Sequence, residues 1–172
     1  MTIYLDTSAL MKLHVTEVGS ADVRAWVETG NVLATARITY AEARAALAHS
    51  HRLGVLSRSD LRRSVTELDA AWNGYTIVEV GPTVVLRAGQ LAEEHALLGY
   101  DAVQLAAALD ARPVASEYLF ASFDLRLNAA AAREGLQLAH LPDGVAERPA
   151  VPYRARLRRT DRPRVAASGR SR

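Results

Sequence analysis

The chain has 172 residues, of which 49% are hydrophobic and 23% charged, and its formal net charge is +2. This length holds one domain of ordinary size with a short extension, and the composition supports a folded core rather than a disordered polypeptide. The absence of cysteine excludes disulfide scaffolds, thiolate metal sites and cysteine nucleophiles, and it fits a reducing cytoplasm. No window approaches ~18 uninterrupted apolar residues and the first residues do not resemble a signal peptide, so we expect neither a membrane span nor secretion.

Strands and helices alternate along residues 1–142, judged by hydrophobic pattern and by the residues that start and stop helices. Strands separated by helices predict a parallel sheet that is covered by helices on both faces. The predicted elements, in chain order, are a strand at 3–5, helices at 8–14 and 20–29, a strand at 32–36, helices at 39–53 and 59–73, a strand at 75–80, helices at 83–98 and 101–111, a strand at 118–122, a helix at 124–134 and a strand at 136–141.

Particular residues set three of the helix boundaries. Thr39 and Glu42 fit the S/T-x-x-E capping box at the start of an alanine-rich helix. Ser59 is expected to cap the helix that follows. Gly99 is expected to end the helix at 83–98 in the left-handed conformation.

Charge divides the chain into two parts. Residues 143–172 hold nine arginines and three acids, a balance of +6, so residues 1–142 hold 12 of the 21 basic and 16 of the 19 acidic side chains, a balance of −4. With three prolines and little apolar material, the final stretch is expected to be a flexible basic tail at 143–172, after a domain at 1–142. Two interpretations of the tail stay open: an RNA- or partner-binding arm, or an extension without a function. The arginines that would contact RNA are Arg154, Arg156, Arg158, Arg159, Arg162 and Arg164.

Four acids occupy corresponding places in this pattern. Asp6 and Asp124 each follow a predicted strand, whereas Glu42 and Asp101 lie in the first turns of predicted helices. The carboxyl ends of parallel strands form the crevice where α/β proteins bind ligands. Four carboxylates gathered there would repel one another unless a cation neutralised them, and hard oxygen ligands suit Mg²⁺ or Mn²⁺. The chemistry that follows is metal-assisted attack of water on a phosphodiester.

Each acid also has a purely structural interpretation. An acid in a first helical turn offsets the helix dipole, and the capping box alone could account for Glu42. Asp124 could be the N-cap of the helix that follows it. Asp6 could act as a cap only through Thr7 and Ser8. The functional interpretation therefore depends on the set of four acids and on the residues around them.

Those surroundings are similar to the motifs of a known family. The blocks YLDTSAL at 4–10, TYAE at 39–42, DAVQLAAA at 101–108 and ASFD at 121–124 occur in this order. Together they resemble PIN-domain ribonucleases, and most of all the VapC-type toxins of bacterial toxin–antitoxin pairs. The resemblance covers about residues 1–141 and implies a three-layer α/β/α sandwich, Mg²⁺-dependent cleavage of RNA, a homodimer, and inhibition by a small antitoxin.

The resemblance also implies a role for individual residues. Asp6, Asp101 and Asp124 would bind the metal, and Glu42 would bind it or position a metal-bound water. Thr7 would support the site by hydrogen bonding, and Ser122 occupies a small-hydroxyl position two residues before the last acid. Asn128 stands where some members have a further acid, which would weaken a second metal site.

Other functions fit the sequence less well. An aspartyl-phosphate-forming phosphatase needs a second acid two residues after its nucleophile, where this chain has Ser8, and no glycine-rich phosphate-binding motif is present. The histidines lack metal-ligand spacing and are interpreted as surface residues, and Trp26, Trp72 and Tyr118 are interpreted as core. A catalytically silent PIN-like module that binds RNA or protein stays open as the alternative, and a magnesium titration would separate the two.

Overall fold

The computed structural model describes residues 1–16, 18–113 and 116–139, and the predicted tail lies outside these residues. Strands and helices alternate within them. The strands are β1 (Thr2–Leu5), β2 (Val32–Ala36), β3 (Thr76–Val78), β4 (Tyr118–Ala121) and β5 (Gln137–Leu138). The helices are α1 (Thr7–Met11), α2 (Ser20–Glu28), α3 (Thr39–Arg52), α4 (Arg58–Trp72), α5 (Pro82–His95), α6 (Gly99–Asp110) and α7 (Leu125–Arg133).

The five strands form one parallel sheet in the order β3-β2-β1-β4-β5. β1 is the central strand, and its Tyr4 pairs with Ala34 of β2 on one side and Phe120 of β4 on the other. Leu5 and Ala121 are also paired, so β1 and β4 end at the same level. The residues that follow them, Asp6 and Ser122, therefore emerge side by side at the carboxyl edge of the sheet.

Alternate residues of β1 face opposite sides of the sheet, as strand geometry requires. Tyr4 is fully buried in a cluster that contains residues of α5, α6 and α7, whereas Ile3 and Leu5 are buried in a second cluster with residues of α1, α2, α3 and α4. Both faces of the sheet are thus covered by helices, and the predicted three-layer α/β/α sandwich is confirmed. None of the described helices is both long and apolar enough to cross a membrane.

The predicted capping box at the start of α3 is wrong. The N-cap residue is Ile38, and no side chain caps this helix end. The Thr39 hydroxyl is fully buried and lies 2.9 Å from Thr35 Oγ1 and 2.9 Å from Gln104 Nε2, so it is engaged in the protein interior. Burial of Thr39 removes its hydroxyl from the helix terminus, and Glu42 is consequently free of any capping role.

Two other helix boundaries differ from prediction. α4 is capped by Ser57 rather than Ser59, because Ser57 has an extended backbone and its hydroxyl accepts from the Asp60 N–H at 3.1 Å. α5 ends at Ala96, which has a left-handed φ of 52°, and Gly99 is already the first residue of α6. The earlier turn brings the next residue, Leu97, into the core at 9% exposure.

Candidate active site

Asp6 is the most buried of the four acids, at 4% exposure. Its Oδ1 accepts from the Ala9 N–H at 2.8 Å, which caps α1, and its Oδ2 accepts from the Ser122 hydroxyl at 2.7 Å. The Ser8 hydroxyl donates to the same carboxylate, 2.8 Å from Oδ1. Burial raises the pKa of Asp6 to about 7 against the opposing effect of these hydrogen bonds, and the charge of Glu42 adds to the rise. The free energy of charging Asp6 is therefore high unless a cation is close.

Ser8 and Ser122 also join the ends of β1 and β4. The Ser8 hydroxyl accepts from the Phe123 N–H at 2.8 Å, and Ser122 Oγ accepts from the Asp124 N–H at 3.0 Å. Asn128 donates from Nδ2 to the Ser122 carbonyl at 2.9 Å. These bonds fix the backbone from which Asp6 and Asp124 project, and they give Asn128 a structural contact at the position where a further acid could stand.

Glu42 lies in the first turn of α3 and is held from outside its own helix. Its Oε2 accepts from the Thr7 hydroxyl and, at 2.6 Å, from Nε2 of Gln104. Glu42 Oε1 has no hydrogen-bond partner within the described residues. One carboxylate oxygen is thus fixed in place, and the other is available to a ligand.

Gln104 is a site residue that sequence reasoning missed. It is 2% exposed, its Nε2 lies within hydrogen-bonding distance of Glu42, Thr7 and Thr39, and its Oε1 accepts from the Tyr4 hydroxyl at 2.8 Å. The available signal was an amide among the apolar residues of α6, since a buried amide must find hydrogen-bond partners. The partners themselves are distant in sequence and could not be read from it.

Asp101 and Asp124 form the other half of the site. Burial, together with the charges of Asp124 and Glu42, raises the pKa of Asp101 to about 6, and the Arg126 guanidinium opposes the rise. Asp124 caps α7, as its structural interpretation predicted, with Oδ1 accepting from the N–H groups of Arg126 and Leu127 at 2.7 and 3.0 Å. Its Oδ2 has no hydrogen-bond partner in the described part of the chain, so capping leaves one oxygen available.

The four acids therefore converge from four elements at one edge of the sheet. Glu42 is electrostatically coupled to both Asp6 and Asp101, and Asp101 is coupled to Asp124. This mutual repulsion and the hard oxygen donors fit a divalent cation such as Mg²⁺ or Mn²⁺. Across the described residues, no three of the four acids bring oxygens within 4.8 Å of one another. A single ion at this edge would therefore contact no more than two of the four acids directly and would reach the others through water.

A tighter group of possible ligands lies elsewhere. Glu94, His95 and Glu134 have ligand atoms within 4.8 Å of one another. His95 Nε2 lies 2.8 Å from Glu134 Oε1, and Arg87 donates to Glu134 Oε2 at 2.7 Å, so Glu134 connects α5 to the end of α7 by one hydrogen bond and one ion pair. The prediction that the histidines lie on the surface is wrong for His95, whose side chain is 5% exposed. The predicted RNA-contacting arginines Arg154 to Arg164 lie outside the described residues.

Comparison with known proteins agrees with this fold. The PIN domain family model matches residues 3–133. Ribonuclease VapC45 of Mycobacterium tuberculosis is 40% identical over 107 residues, which cover 62% of this chain and 74% of that protein. Solved structures also share the fold, and two of them serve as examples. FitAcB from Neisseria gonorrhoeae has a TM-score of 0.58 and 19% identity, with 80% of this chain and 96% of that chain covered. A toxin-antitoxin complex from Klebsiella pneumoniae has a TM-score of 0.50 and 17% identity, with 71% and 86% covered. The chain therefore belongs to the PIN-domain family, and within it to the VapC type.

Proposed function

We propose that this protein is a Mg²⁺-dependent endoribonuclease that acts in the cytoplasm as the toxin of a type II toxin–antitoxin pair. The observation that carries the proposal is the convergence of Asp6, Glu42, Asp101 and Asp124 at the carboxyl edge of the sheet. The name of the M. tuberculosis relative, a ribonuclease with 40% identity, supports RNA as the substrate.

The carboxylate oxygens of the site are hard ligands of the kind a divalent metal prefers. Asp124 Oδ2 has no hydrogen-bond partner among the described residues, whereas both oxygens of Asp6 are held by hydrogen bonds. Asp6, Asp101 and Asp124 would hold Mg²⁺, with Mn²⁺ as a substitute. When bound, the cation would lower the pKa of a water and neutralise charge on the phosphate. Asp6 is kept in place by the Ser122 hydroxyl and the Ala9 N–H. Because no three of the four acids have oxygens within 4.8 Å of one another in the described part of the chain, at least one of these aspartates would hold the ion through a water.

Glu42 would act as the general base for the attacking water. Thr7 and Gln104 hold its Oε2, which leaves Oε1 to orient the attacking water and accept its proton. Arg126, whose charge opposes the rise in the Asp101 pKa, would contact a phosphate oxygen of the substrate.

The proposed partners are a cognate antitoxin and a second copy of this chain. The toxin–antitoxin structure from K. pneumoniae supports the first. An exposed apolar pair on α5, Val85 at 52% and Leu86 at 73% exposure, offers surface for the second. The tail arginines, at 154–164, are proposed to add RNA contacts.

Two acids on α6 provide a matched test. Asp101→Asn changes a proposed ligand, whereas Asp110→Asn changes an exposed acid at the far end of the same helix. We expect the wild type and Asp110→Asn to cleave single-stranded RNA in Mg²⁺ or Mn²⁺ and to stop in excess EDTA, and Asp101→Asn to be inactive while folded. Full activity in EDTA, or in Asp101→Asn, would exclude the proposed mechanism. RNA binding without cleavage at any magnesium concentration would favour the silent binding module.

A further inference from the structure

A pocket lies beside the candidate active site, between the first turn of α3 and the last turn of α4. Its volume is about 420 Å³, which is within the range of small-ligand pockets. The lining residues combine two aromatic rings with charged and amide side chains. They are Arg37, Tyr40, Ala41, Asp69, Trp72 and Asn73.

The pocket lies next to the carboxyl edge of the sheet, where the four acids meet. Arg37 directly follows β2, and its N–H donates to the Val78 carbonyl at the end of β3, at 2.9 Å. Tyr40 precedes Glu42 by two residues on α3, and residues two apart face different sides of a helix. The pocket thus opens on the α4 side of α3, while Glu42 faces Gln104. An RNA strand that crosses the N-terminal end of α3 would reach both the pocket and the four acids.

The end of α3 suits that crossing. No side chain caps its N-terminus, so its first N–H groups are available, and helix N-termini attract phosphate. If a phosphate of an RNA strand binds at this helix end, the strand can extend towards the four acids in one direction and towards the pocket in the other.

The interior of the pocket has the chemistry of a nucleobase site. The Tyr40 and Trp72 rings pack edge-on with centroids 5.1 Å apart, and Tyr75 supports Trp72 from behind at 5.9 Å. Flat aromatic side chains of this kind stack on the bases of single-stranded RNA. The Asn73 amide makes no hydrogen bond to any described residue, so it can donate to and accept from a base edge.

The guanidinium groups at the pocket are paired with carboxylates, which disfavours the binding of a phosphate group there. Arg37 pairs with Glu79, and Arg44 lies 3.6 Å from Asp69, so each guanidinium has a carboxylate partner. A pocket with balanced charge and aromatic walls favours a neutral flat ligand over an anion.

We propose that this pocket is a subsite for one unpaired base of the RNA substrate, next to the bond that is cleaved. The proposal rests on the ribonuclease function proposed above and adds to it a residue-level basis for base preference. The Trp72 and Tyr40 rings are inclined by 64°, so Trp72 would stack on the base, Tyr40 would form a side wall, and Asn73 would read the base edge.

The chain has two tryptophans, which makes the pocket directly observable by fluorescence. Trp26→Phe leaves Trp72 as the only reporter, and Trp72→Phe leaves Trp26, which is on α2 and outside the pocket. Both would carry Asp6→Asn to prevent cleavage and would be titrated in Mg²⁺ with single-stranded RNA octamers and with an abasic octamer of the same length. We expect base-containing octamers to quench Trp72, the abasic octamer to have little effect, and Trp26 to remain unchanged.

Affinity provides a second measurement. Trp72→Leu should weaken binding of the octamers about 5- to 100-fold, without changing the dependence of affinity on salt, because stacking releases no counterions. Trp26→Leu is the matched control, since Trp26 packs against the same core cluster. Trp72→Leu should also leave binding of the abasic octamer unchanged, which a general loss of structure would not.

RNA cleavage by the Trp26→Phe protein with Asp6 intact separates the two proposals. If this protein cleaves RNA but Trp72 responds equally to base-containing and abasic octamers, or to neither, the subsite is wrong and the nuclease function stands. If Trp72 responds to bases but no RNA is cleaved, the base site stands and the nuclease function is wrong. Quenching of Trp72 by the antitoxin, with no response to either octamer, would overturn the subsite and make the pocket a protein contact.

Discussion

The side-chain amide of Gln104 on α6 donates to Glu42 Oε2 on α3 at 2.6 Å, across 62 residues of sequence. The Thr7 hydroxyl donates to the same oxygen, and the Tyr4 hydroxyl holds the other end of the amide at 2.8 Å. The orientation of Glu42 is thus set by β1, α1 and α6 together. Its own helix contributes only the position of the backbone.

Gln104→Leu tests whether this orientation matters for activity. We expect cleavage to slow by roughly 10- to 100-fold, because a misplaced catalytic group loses its alignment. The free energy of unfolding should also fall by about 1–3 kcal/mol, since buried hydrogen-bond partners are left unsatisfied. Single-turnover rates and urea unfolding measure the two effects. Gln90→Leu, at an exposed position on α5, is the control, and an unchanged rate in Gln104→Leu would show that Glu42 needs no such support.

Glu42→Gln separates charge from structure. Because Glu42 does not cap α3, the variant should keep the helix start and change the free energy of unfolding by less than ~1 kcal/mol. Cleavage should fall to background, and the pKa of Asp101 should drop because the Glu42 charge raises it. Cleavage assays, urea unfolding and NMR titration of the Asp101 carboxyl measure these effects, with exposed Glu93→Gln as the control. A loss of activity that only matches a loss of stability would make Glu42 a structural residue.

Stability without metal should depend on pH through Asp6. Its pKa of about 7 in the folded protein lies above the ordinary value of 3.8 for an aspartate, so the folded state binds more protons between these values. The free energy of unfolding should therefore decrease as pH rises from about 4 to about 7. Asp6→Asn removes this contribution and should be more stable than the wild type above pH 7, by up to about 4 kcal/mol.

Thermal unfolding in EDTA across this pH range measures the difference. Asp101 has a pKa raised to about 6, so it should cause a smaller decrease of stability with rising pH in both proteins. Added Mg²⁺ should stabilise the wild type more than Asp6→Asn, which should also lack RNA cleavage. If the stability of the wild type and of Asp6→Asn changes with pH in the same way in EDTA, ionising Asp6 in the folded protein costs little free energy.

The antitoxin is expected to place a basic side chain among the four acids. Changing Asp6, Glu42, Asp101 and Asp124 to their amides should weaken antitoxin binding, because the charges that favour a cation are gone. Isothermal titration with the cognate antitoxin measures the loss. An affinity that does not change would indicate inhibition at another surface, for instance along the RNA path.

The tail is expected to bind RNA through its arginines. Truncation after Pro142 should leave the fold and the metal site intact and should weaken RNA binding. The salt slope should fall by roughly 0.7 for each phosphate of a single strand that the tail neutralises. Affinities at several salt concentrations, for the full chain and the truncated one, give the two slopes. Equal slopes would identify the tail as an extension without a role in binding.

Much of the fold follows from local pattern. Apolar runs mark the cores of β1, β2 and β4, and an acid directly after a run, as at Asp6, lies at the carboxyl edge once the strands are parallel. The errors concern residues whose behaviour depends on distant partners. Thr39 has the sequence of a helix cap, but burial against Gln104 redirects its hydroxyl. Trp72 packs against the core cluster as its sequence pattern predicts, but its contact with Tyr40 in a pocket is visible only in the structure.

The sequence by itself determined the order of strands and helices, the parallel sheet and the four acids at its edge, because hydrophobic periodicity and chain direction are local properties. Only the tertiary structure decided which groups hold those acids. Ser122 meets Asp6 across 116 residues and Gln104 meets Glu42 across 62. Such pairs depend on strand register and helix packing, so a buried amide or hydroxyl is visible in the sequence while its partner is not.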